Sequence, residues 1–264
     1  MYDGHTKDEL FHVLIGTGAN GKSKIQELVK LMLGDYFASV TIKLFTGKRA
    51  DAHSTTSAYE CIRNKRSVWV QEPEKGERIN SGVLKELTGG DSVYSRALFQ
   101  EGSEFKPQAK FALVANHKPD VNADDKALWR RLRCIRFPYE FTPNPDPTRP
   151  NEKQRDDNLS SNFNKWKGGL QWVLLTHYYP LYKKEGILSD KQIPRAIYEE
   201  TTQYRKSNDE IEEFISNNMI YVGEDFYNED NLIEVNIRML CSLFSRFVER
   251  KRPRSSHIRI ANNQ

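Results

Sequence analysis

The chain has 264 residues, of which 38% are hydrophobic and 29% are charged, and its formal net charge is +4. This length predicts one large α/β domain with a small appendage, and no stretch approaches the roughly 18 apolar residues of a membrane-spanning helix. The mild positive charge permits nucleic-acid binding but does not by itself predict it.

The cysteines and the first residues bear on location. Cys61, Cys134 and Cys241 lie far apart, without the spacing of metal ligands. The first residues lack the basic and apolar regions of a signal peptide. We therefore expect an intracellular, reducing compartment in which the thiols are buried.

The first predicted elements are a strand, a glycine-rich loop and a helix. An apolar run at 11–15 predicts a buried strand, and apolar residues at helical spacing from Ile25 to Met32 predict the helix. The loop between them fits the phosphate-binding pattern G-x-x-x-x-G-K-[ST]. The predicted nucleotide-binding residues are Gly16, Thr17, Gly18, Ala19, Asn20, Gly21, Lys22 and Ser23.

Each residue type in this loop suits a triphosphate. Gly16 and Gly21 let the backbone approach the phosphates and take unusual dihedral angles, and the helix N-terminus favours an anion. Lys22 can reach the β- and γ-phosphates, and the Ser23 hydroxyl can ligate Mg²⁺. The alternative is a glycine-rich turn that binds nothing, which would leave a buried lysine at a high cost.

The next predicted elements are a strand at 40–44, a polar loop at 47–56, a short helix at 57–64 and a buried strand at 67–71. The last strand is followed by Glu72 and Glu74, as in a Walker B element. One carboxylate would hold Mg²⁺ and the other would polarise the attacking water. The alternative is a surface acidic turn, which the upstream loop makes the weaker interpretation.

Three further elements are predicted before Asn116. We expect a helix at 79–87 capped by Asn80 or Ser81, a β-hairpin at 93–105 with Gly102 in its turn, and a buried strand at 109–115. Asn116 then follows, where its amide could contact the γ-phosphate or orient the water. The alternative is a turn asparagine ahead of Pro119.

Four arginines lie within the seven residues 130–136. The pattern predicts the end of a helix running into a strand, with the arginines held in place. An arginine that reaches a neighbour's nucleotide would stabilise transition-state charge. The alternative is a solvated basic face.

The remainder is mainly helical. A proline-rich surface loop is predicted at 142–162, followed by helices at 163–182, 195–206, 211–215 and 237–248. The helix at 211 has a capping-box pattern from Ser207 to Glu210. Trp172, Tyr178 and Tyr179 are expected in a core or interface, and the basic run 249–254 either touches phosphates or is a solvated helix end.

Several motifs in one order resemble the helicase domain of superfamily 3 helicases, in the poxvirus-type and phage/plasmid primase-helicase branch. The resemblance covers roughly residues 11–215. Besides the 16–23 loop, the motifs are Glu72-Pro-Glu-Lys-Gly, Lys85-Glu-Leu-Thr-Gly-Gly-Asp91, Ser95-Arg96, Phe105-Lys-Pro, Ala115-Asn-His-Lys-Pro119, Leu128-Trp-Arg-Arg-Leu132 and Phe137.

The resemblance implies an AAA+ core that assembles as a homo-oligomeric, typically hexameric, ring and moves along single-stranded or forked DNA with ATP and Mg²⁺. By position, Lys22 and Ser23 match the Walker A lysine and Mg²⁺-binding hydroxyl, and Glu72 and Glu74 match the Walker B acids. Asn116 matches the sensor residue. Arg130 or Arg131 matches the arginine finger, and Arg96 and Lys106 are the basic candidates of a DNA-gripping hairpin.

The sequence departs from this family in three respects. Lys24 stands where a threonine is usual, and the predicted hairpin tip at 100–103 lacks a basic residue. Family members also have a helical collar or a primase before the ATPase, and we expect such a region to be absent from this chain. The family implies a location in the host cytoplasm or at a viral replication site.

Together these features predict a three-layer P-loop AAA+ core with a mostly parallel sheet. We expect an ATPase core at 1–141, a loop at 142–162, a helical part at 163–207 and an incomplete winged-helix-like segment at 208–264. The expected function is an ATP-dependent replicative DNA helicase of a virus or mobile element. Two alternatives stay open, a monomeric P-loop kinase and a nucleotide-locked DNA-binding assembly module without turnover.

Overall fold

The computed structural model describes residues 8–47, 57–71, 77–96, 101–185, 193–218 and 237–251. Within these ranges the strands are β1 (Phe11–Ile15), β2 (Phe37–Val40), β3 (Ser67–Val70), β4 (Val93–Ser95), β5 (Ser103–Phe105), β6 (Lys110–Ala115), β7 (Leu132–Arg136), β8 (Glu140–Thr142) and β9 (Glu152–Gln154). The helices are α1 (Lys22–Leu33), α2 (Lys43–Thr46), α3 (Ser57–Glu60), α4 (Ser81–Gly89), α5 (Lys126–Arg131), α6 (Phe163–Val173), α7 (Tyr179–Glu185), α8 (Arg195–Ser207), α9 (Glu210–Asn218) and α10 (Ile237–Lys251).

In the described part of the chain, five strands form a parallel sheet in the order β2-β3-β6-β1-β7. The register pairs Ile15 at the end of β1 with Ala115 on one side and with Arg136 on the other. Because parallel strands end at the same edge, the residues that follow β1, β6 and β7 lie close together. This carboxyl edge positions the candidate site.

The sheet is buried on both faces, as its near-continuous apolar strands predict. One face packs against α2, α3, α4, α5 and α8, through a cluster that includes Val13, Leu84, Leu113, Leu128 and Tyr204. The other face carries Leu14 and Trp69, which pack with Val29 of α1. The arrangement therefore has three layers, with the sheet in the middle, and the predicted α/β class is confirmed.

The chain divides into two compact units, the first ending at Arg205 and the second beginning at Lys206. In the second unit, α9 and α10 pack through the ring of Phe214, whose centroid lies 5.4 Å from that of Phe244 and 5.5 Å from that of Phe247. The predicted domain boundaries and the winged-helix-like character of 208–264 stay predictions.

Most elements lie where the sequence predicted them. The strands at 11–15, 67–71 and 109–115 are confirmed to within a residue, and the helix at 79–87 is capped by Asn80, whose side chain accepts hydrogen bonds from the amides of Gly82 and Val83. The predicted hairpin is β4 paired antiparallel with β5. The arginine-rich segment is, as expected, a helix end, α5, that runs directly into β7.

The strand predicted at 40–44 is wrong beyond its first residue. The strand there is β2, which ends at Val40, and Lys43–Thr46 is the helical turn α2. The amide of Phe45 donates to the carbonyl of Ile42 at 2.7 Å, and both side chains are buried. A helical turn therefore buries the apolar residues whose alternation had suggested a strand.

Other predictions need smaller corrections. The helix predicted at 57–64 ends at Glu60, and its last four residues form a turn. The loop predicted at 142–162 contains the last residue of β8 and the whole of β9, which pair as short parallel strands. At α9, the carboxylate of Asp209 accepts from the amide of Ile211, while Ser207 ends α8. The predicted loop at 47–56 lies almost wholly outside the described residues.

The segment 163–185 is helical throughout, with a π-helical turn at Leu174–Tyr178, and of its aromatic residues Phe163 is buried. Trp172 is 66% exposed and Tyr178 is 56% exposed, so neither lies in the core of this chain, and Trp166 is also exposed. Of the three thiols, Cys134 is buried as expected, whereas Cys61 and Cys241 are exposed. Among the described residues, no helix combines the length and apolarity needed to cross a membrane.

Candidate nucleotide-binding site

The 16–23 loop leaves the end of β1 at the carboxyl edge of the sheet and leads into α1. Its backbone takes left-handed dihedral angles at Ala19, with φ 57°, and at Gly21, with φ 86°. Gly16 has no such angle, but a Cβ atom there would lie 2.7 Å from the carbonyl oxygen of Phe137 and 2.2 Å from the Asn20 amide nitrogen. The loop therefore needs Gly21 for its dihedral angle and Gly16 for close packing.

Lys22 lies in the first turn of α1 and is only 4% exposed. Its ammonium group donates to the carbonyl of Gly16 at 2.5 Å and to Oδ1 of Asn116 at 3.5 Å. Asn20 is also buried, and its amide donates to the carbonyl of Thr17. A buried cation is thus held at a helix N-terminus, where backbone amides lack intrahelical partners. These are the features of a site for a phosphate group.

Asn116 is brought to Lys22 by the sheet, because it follows β6 and β6 is the neighbour of β1. The strand β3 lies on the far side of β6, so the residues after β3 share this edge. Glu72 and Glu74 follow β3 but lie outside the described residues. His117 is exposed in the loop after β6.

The predicted Mg²⁺ ligand Ser23 is exposed at the start of α1. A serine hydroxyl is an oxygen donor, the kind of ligand that Mg²⁺ prefers. Among the described residues, no group of three or more histidine, cysteine or acidic side chains could hold a metal ion. Lys24, which replaces the usual threonine, is exposed and binds Glu27 and Ser160, each through Nζ, at 3.0 and 2.6 Å.

The segment after β7 is hydrogen-bonded to the 16–23 loop and to the residue before it. The sequence did not predict this contact. The amide of Phe137 donates to the carbonyl of Ile15 at 2.7 Å, and that of Phe141 donates to the carbonyl of Ala19 at 2.8 Å. Arg136 therefore lies beside the first residue of the loop. The available sequence signal was the strand itself, because the last residue of a neighbouring parallel strand ends at the same edge.

The two candidate finger arginines lie at the opposite, amino edge of the sheet, where α5 ends and β7 begins. Arg131 is buried, and its guanidinium lies 2.7 Å from Oε2 of Glu9 and donates to the carbonyl of Ala127 at 2.9 Å. Arg130 is 67% exposed in its side chain and contacts the same carboxylate. Glu9 itself has a left-handed backbone, with φ 51°.

An open cavity of about 370 Å³ lies beside Arg131 and Glu9, not beside Lys22. Its other lining residues come from α4 and the motif that follows it: Gly82, Lys85, Glu86, Gly89 and Asp91. Two of the motifs that carry the family resemblance, Gly89-Gly90-Asp91 and the arginine pair, therefore meet at the amino edge.

The DNA-binding candidates are exposed but lie at opposite ends of the hairpin. Arg96 follows β4 toward the tip, whereas Lys106 follows β5 toward the base. Four residues of strand separate the two positions, or roughly 14 Å. The base is anchored by Arg63, whose guanidinium lies 4.3 Å above the ring of Phe105 and pairs with Glu60 at 2.7 Å.

Comparison with known proteins finds similar sequences in large DNA viruses. A model of a family of unknown function (DUF5906) matches residues 14–131, which include the loop, Asn116 and both arginines. A candidate helicase of Acanthamoeba polyphaga mimivirus is 35% identical over 227 residues, which are 83% of this chain and 23% of that protein. The chain is homologous to candidate helicases and primases of large DNA viruses.

Further relatives agree. A candidate primase of African swine fever virus is 30% identical over 233 residues, or 86% of this chain and 24% of that protein. A candidate helicase of frog virus 3 is 28% identical over 221 residues, or 80% of this chain and 22% of that protein. The chain thus spans less than a quarter of the length of these viral relatives.

The fold of the chain also resembles a solved structure. The apo C-terminal region of NrS-1 superposes with a TM-score of 0.51 and 15% sequence identity, covering 91% of this chain and 54% of that one. At this identity the likeness concerns the fold alone.

Proposed function

We propose that this chain is the ATP-hydrolysing part of a DNA helicase that acts in the replication of a large DNA virus. The observation that carries the proposal is Lys22, a buried cation at a helix N-terminus, inside a loop whose glycines are required by its geometry. Such a site suits the phosphates of a nucleotide, and the viral relatives are named as helicases and primases.

The residue roles follow from position on the carboxyl edge. The 16–23 loop binds the phosphates, with Lys22 neutralising their charge. Asn116, whose amide oxygen accepts from Lys22, orients the attacking water, and Glu72 or Glu74 takes its proton. Ser23 and Glu72 hold Mg²⁺, which, when bound, neutralises charge on the β- and γ-phosphates.

The position of Arg130 and Arg131 bears on whether the nucleotide site is shared between copies of the chain. Arg131 precedes β7, whereas the 16–23 loop follows β1, and these parallel strands are paired over five residues. Five residues of strand span roughly 17 Å. An arginine at the amino edge therefore cannot reach the loop of its own subunit, so a catalytic role requires a neighbour. We therefore extend the proposal to a superfamily 3, AAA+ type ring, of which a hexamer is the expected form, that translocates on single-stranded or forked DNA.

The test is ATP hydrolysis by the chain with and without single-stranded DNA. We expect Mg²⁺-dependent turnover that rises with DNA and is lost in Lys22→Ala. Lys30→Ala is the matched control, because Lys30 is exposed at the other end of the same helix, and it should behave as the wild type. Turnover that survives in Lys22→Ala would contradict the proposed site. Transfer of phosphate to a nucleoside or DNA end by a monomer would favour a kinase.

A further inference from the structure

A buried carboxylate on α8 lies between two cations that belong to the two neighbours of β1. Oε1 of Glu200 lies 2.6 Å from Nζ of Lys118, and Oε2 lies 3.9 Å from Nη1 of Arg136. Glu200 is 8% exposed. A buried carboxylate is retained at low cost only where cations or donors surround it.

Other residues of α8 contact the segment after β6 and the middle of β7. The hydroxyl of Tyr204 donates to the carbonyl of Pro119, and the ammonium group of Lys118 lies 5.6 Å from the centre of the Tyr204 ring. On the next strand, the amide of Cys134 donates to Oγ1 of Thr201 at 2.9 Å. The position of Glu200 relative to both cations is therefore fixed by several contacts.

Both cations lie near the carboxyl edge, on the face of the sheet that packs against α8. Lys118 is the third residue after β6, and Arg136 is the last residue of β7, directly in register with Ile15. Of the two cations, Arg136 is the one next to the loop, because its strand partner Ile15 immediately precedes Gly16. Arg136 is 67% exposed in its side chain, and 3.9 Å is near the upper limit of an ion pair, so it is the cation that can move.

We propose that Arg136 binds the phosphates of the nucleotide from within the same subunit, and that Glu200 is a positioning residue that restrains Arg136 when no nucleotide is bound. The inference rests on the proposed nucleotide site. Phosphate oxygens and the Glu200 carboxylate compete for the guanidinium, and a multiply charged phosphate accepts its fork of donors better than a single distant oxygen. Lys118, at 2.6 Å, stays with Glu200.

Opposite effects on nucleotide affinity distinguish this role from a structural one. Arg136→Gln removes a phosphate contact and should weaken MgATP binding roughly fivefold. Glu200→Gln keeps the side-chain shape, removes the competing charge and should strengthen MgATP binding by a similar, roughly fivefold factor. In the double variant the Glu200→Gln gain should vanish, because it acts through Arg136.

The experiment is equilibrium titration of the chain with a fluorescent MgATP analogue, together with thermal unfolding of each variant. The matched control is the neighbouring pair on α8, Arg195 and Glu199, which are joined at 2.6 Å and exposed. Arg195→Gln and Glu199→Gln should leave the affinity unchanged. If Glu200→Gln fails to fold, Arg136→Gln still tests the inference. Because the Arg136 side chain is exposed, this variant should keep its fold.

Wild-type affinity in Arg136→Gln would overturn the inference, as would weakened binding in a folded Glu200→Gln. Lys22→Ala separates this failure from failure of the proposed function. If the wild type binds MgATP, Lys22→Ala does not and Arg136→Gln binds like the wild type, only the inference fails. If Lys22→Ala binds like the wild type, or the wild type does not bind, the nucleotide site itself is rejected and the inference falls with it.

Discussion

The ammonium group of Lys22 lies 3.5 Å from the side-chain oxygen of Asn116, although 94 residues separate them in the chain. Two neighbouring parallel strands make this contact, because β1 ends in the lysine's loop and β6 ends at the asparagine. Asn116 therefore contacts the ammonium group that would neutralise phosphate charge, and Asn116 itself is exposed. Its contribution should therefore appear in turnover more than in binding.

Replacing Asn116 with alanine should lower the maximal rate of ATP hydrolysis roughly 100-fold, as the loss of one polar group at a reacting centre does. Binding of MgATP should change less, by about threefold or under. The comparison requires both titrations on the same preparation. His117→Ala, at the next exposed position, is the control, and a loss of binding equal to the loss of turnover in Asn116→Ala would contradict the assigned role.

Gly16 and Gly18 of the loop should respond differently to an added methyl group. In Gly16→Ala the Cβ atom would lie 2.7 Å from a backbone oxygen, whereas at Gly18 nothing lies within 4 Å. We expect Gly16→Ala to abolish MgATP binding and to lower the free energy of unfolding by about 2 kcal/mol. Gly18→Ala should keep both within error, which calorimetric titration and urea unfolding can check.

Arg130 and Arg131 should differ in how much each contributes to the free energy of unfolding. Arg131 is buried with its guanidinium against Glu9, so Arg131→Ala should lower the free energy of unfolding by about 3 kcal/mol. Arg130 is exposed, and Arg130→Ala should cost less than about 1 kcal/mol. Urea unfolding of both variants measures these losses. Equal losses of unfolding free energy would contradict a larger structural role for Arg131 than for Arg130.

Alkaline pH should destabilise the fold through Cys134. Burial raises the pKa of this thiol from 9.0 to about 12. Above pH 9 the unfolded chain ionises the thiol while the folded chain does not, so stability present below pH 9 is lost as the pH rises toward 12. At pH 10 the loss should be about 1 kcal/mol. Unfolding at pH 8 and pH 10 should show this extra loss in the wild type and not in Cys134→Ala.

The parallel core and the 16–23 loop could be predicted because each rests on local sequence. The apolar run at 11–15 and the glycine spacing after it fix a strand and a turn within a few residues. The strand predicted at 40–44 failed because burial of Ile42 and Phe45 is satisfied by a helical turn. Alternating apolar residues indicate that side chains are buried, but they do not show whether a strand or a helical turn buries them.

Partnerships across the chain could not be predicted in this way. Glu200 looks like one charge among many on an amphipathic helix, and only the packing of α8 against β7 and the segment after β6 shows it buried between two cations. Likewise Glu9, in the segment before β1, has no sequence signal for its contact with Arg131. Exposed Trp172 was assigned to a core or interface from its type, although no local pattern fixes its exposure.

A nucleotide site shared between two copies of the chain is tested most directly by mixing two inactive variants. Lys22→Ala lacks a working loop but retains Arg130, whereas Arg130→Ala retains the loop. Each alone should hydrolyse almost no ATP, and an equal mixture should recover about a quarter of the wild-type rate, because that share of neighbours combines an intact loop with an intact arginine. A mixture that stays inactive, or Arg130→Ala that is fully active alone, would contradict a site completed by Arg130 of a neighbouring subunit.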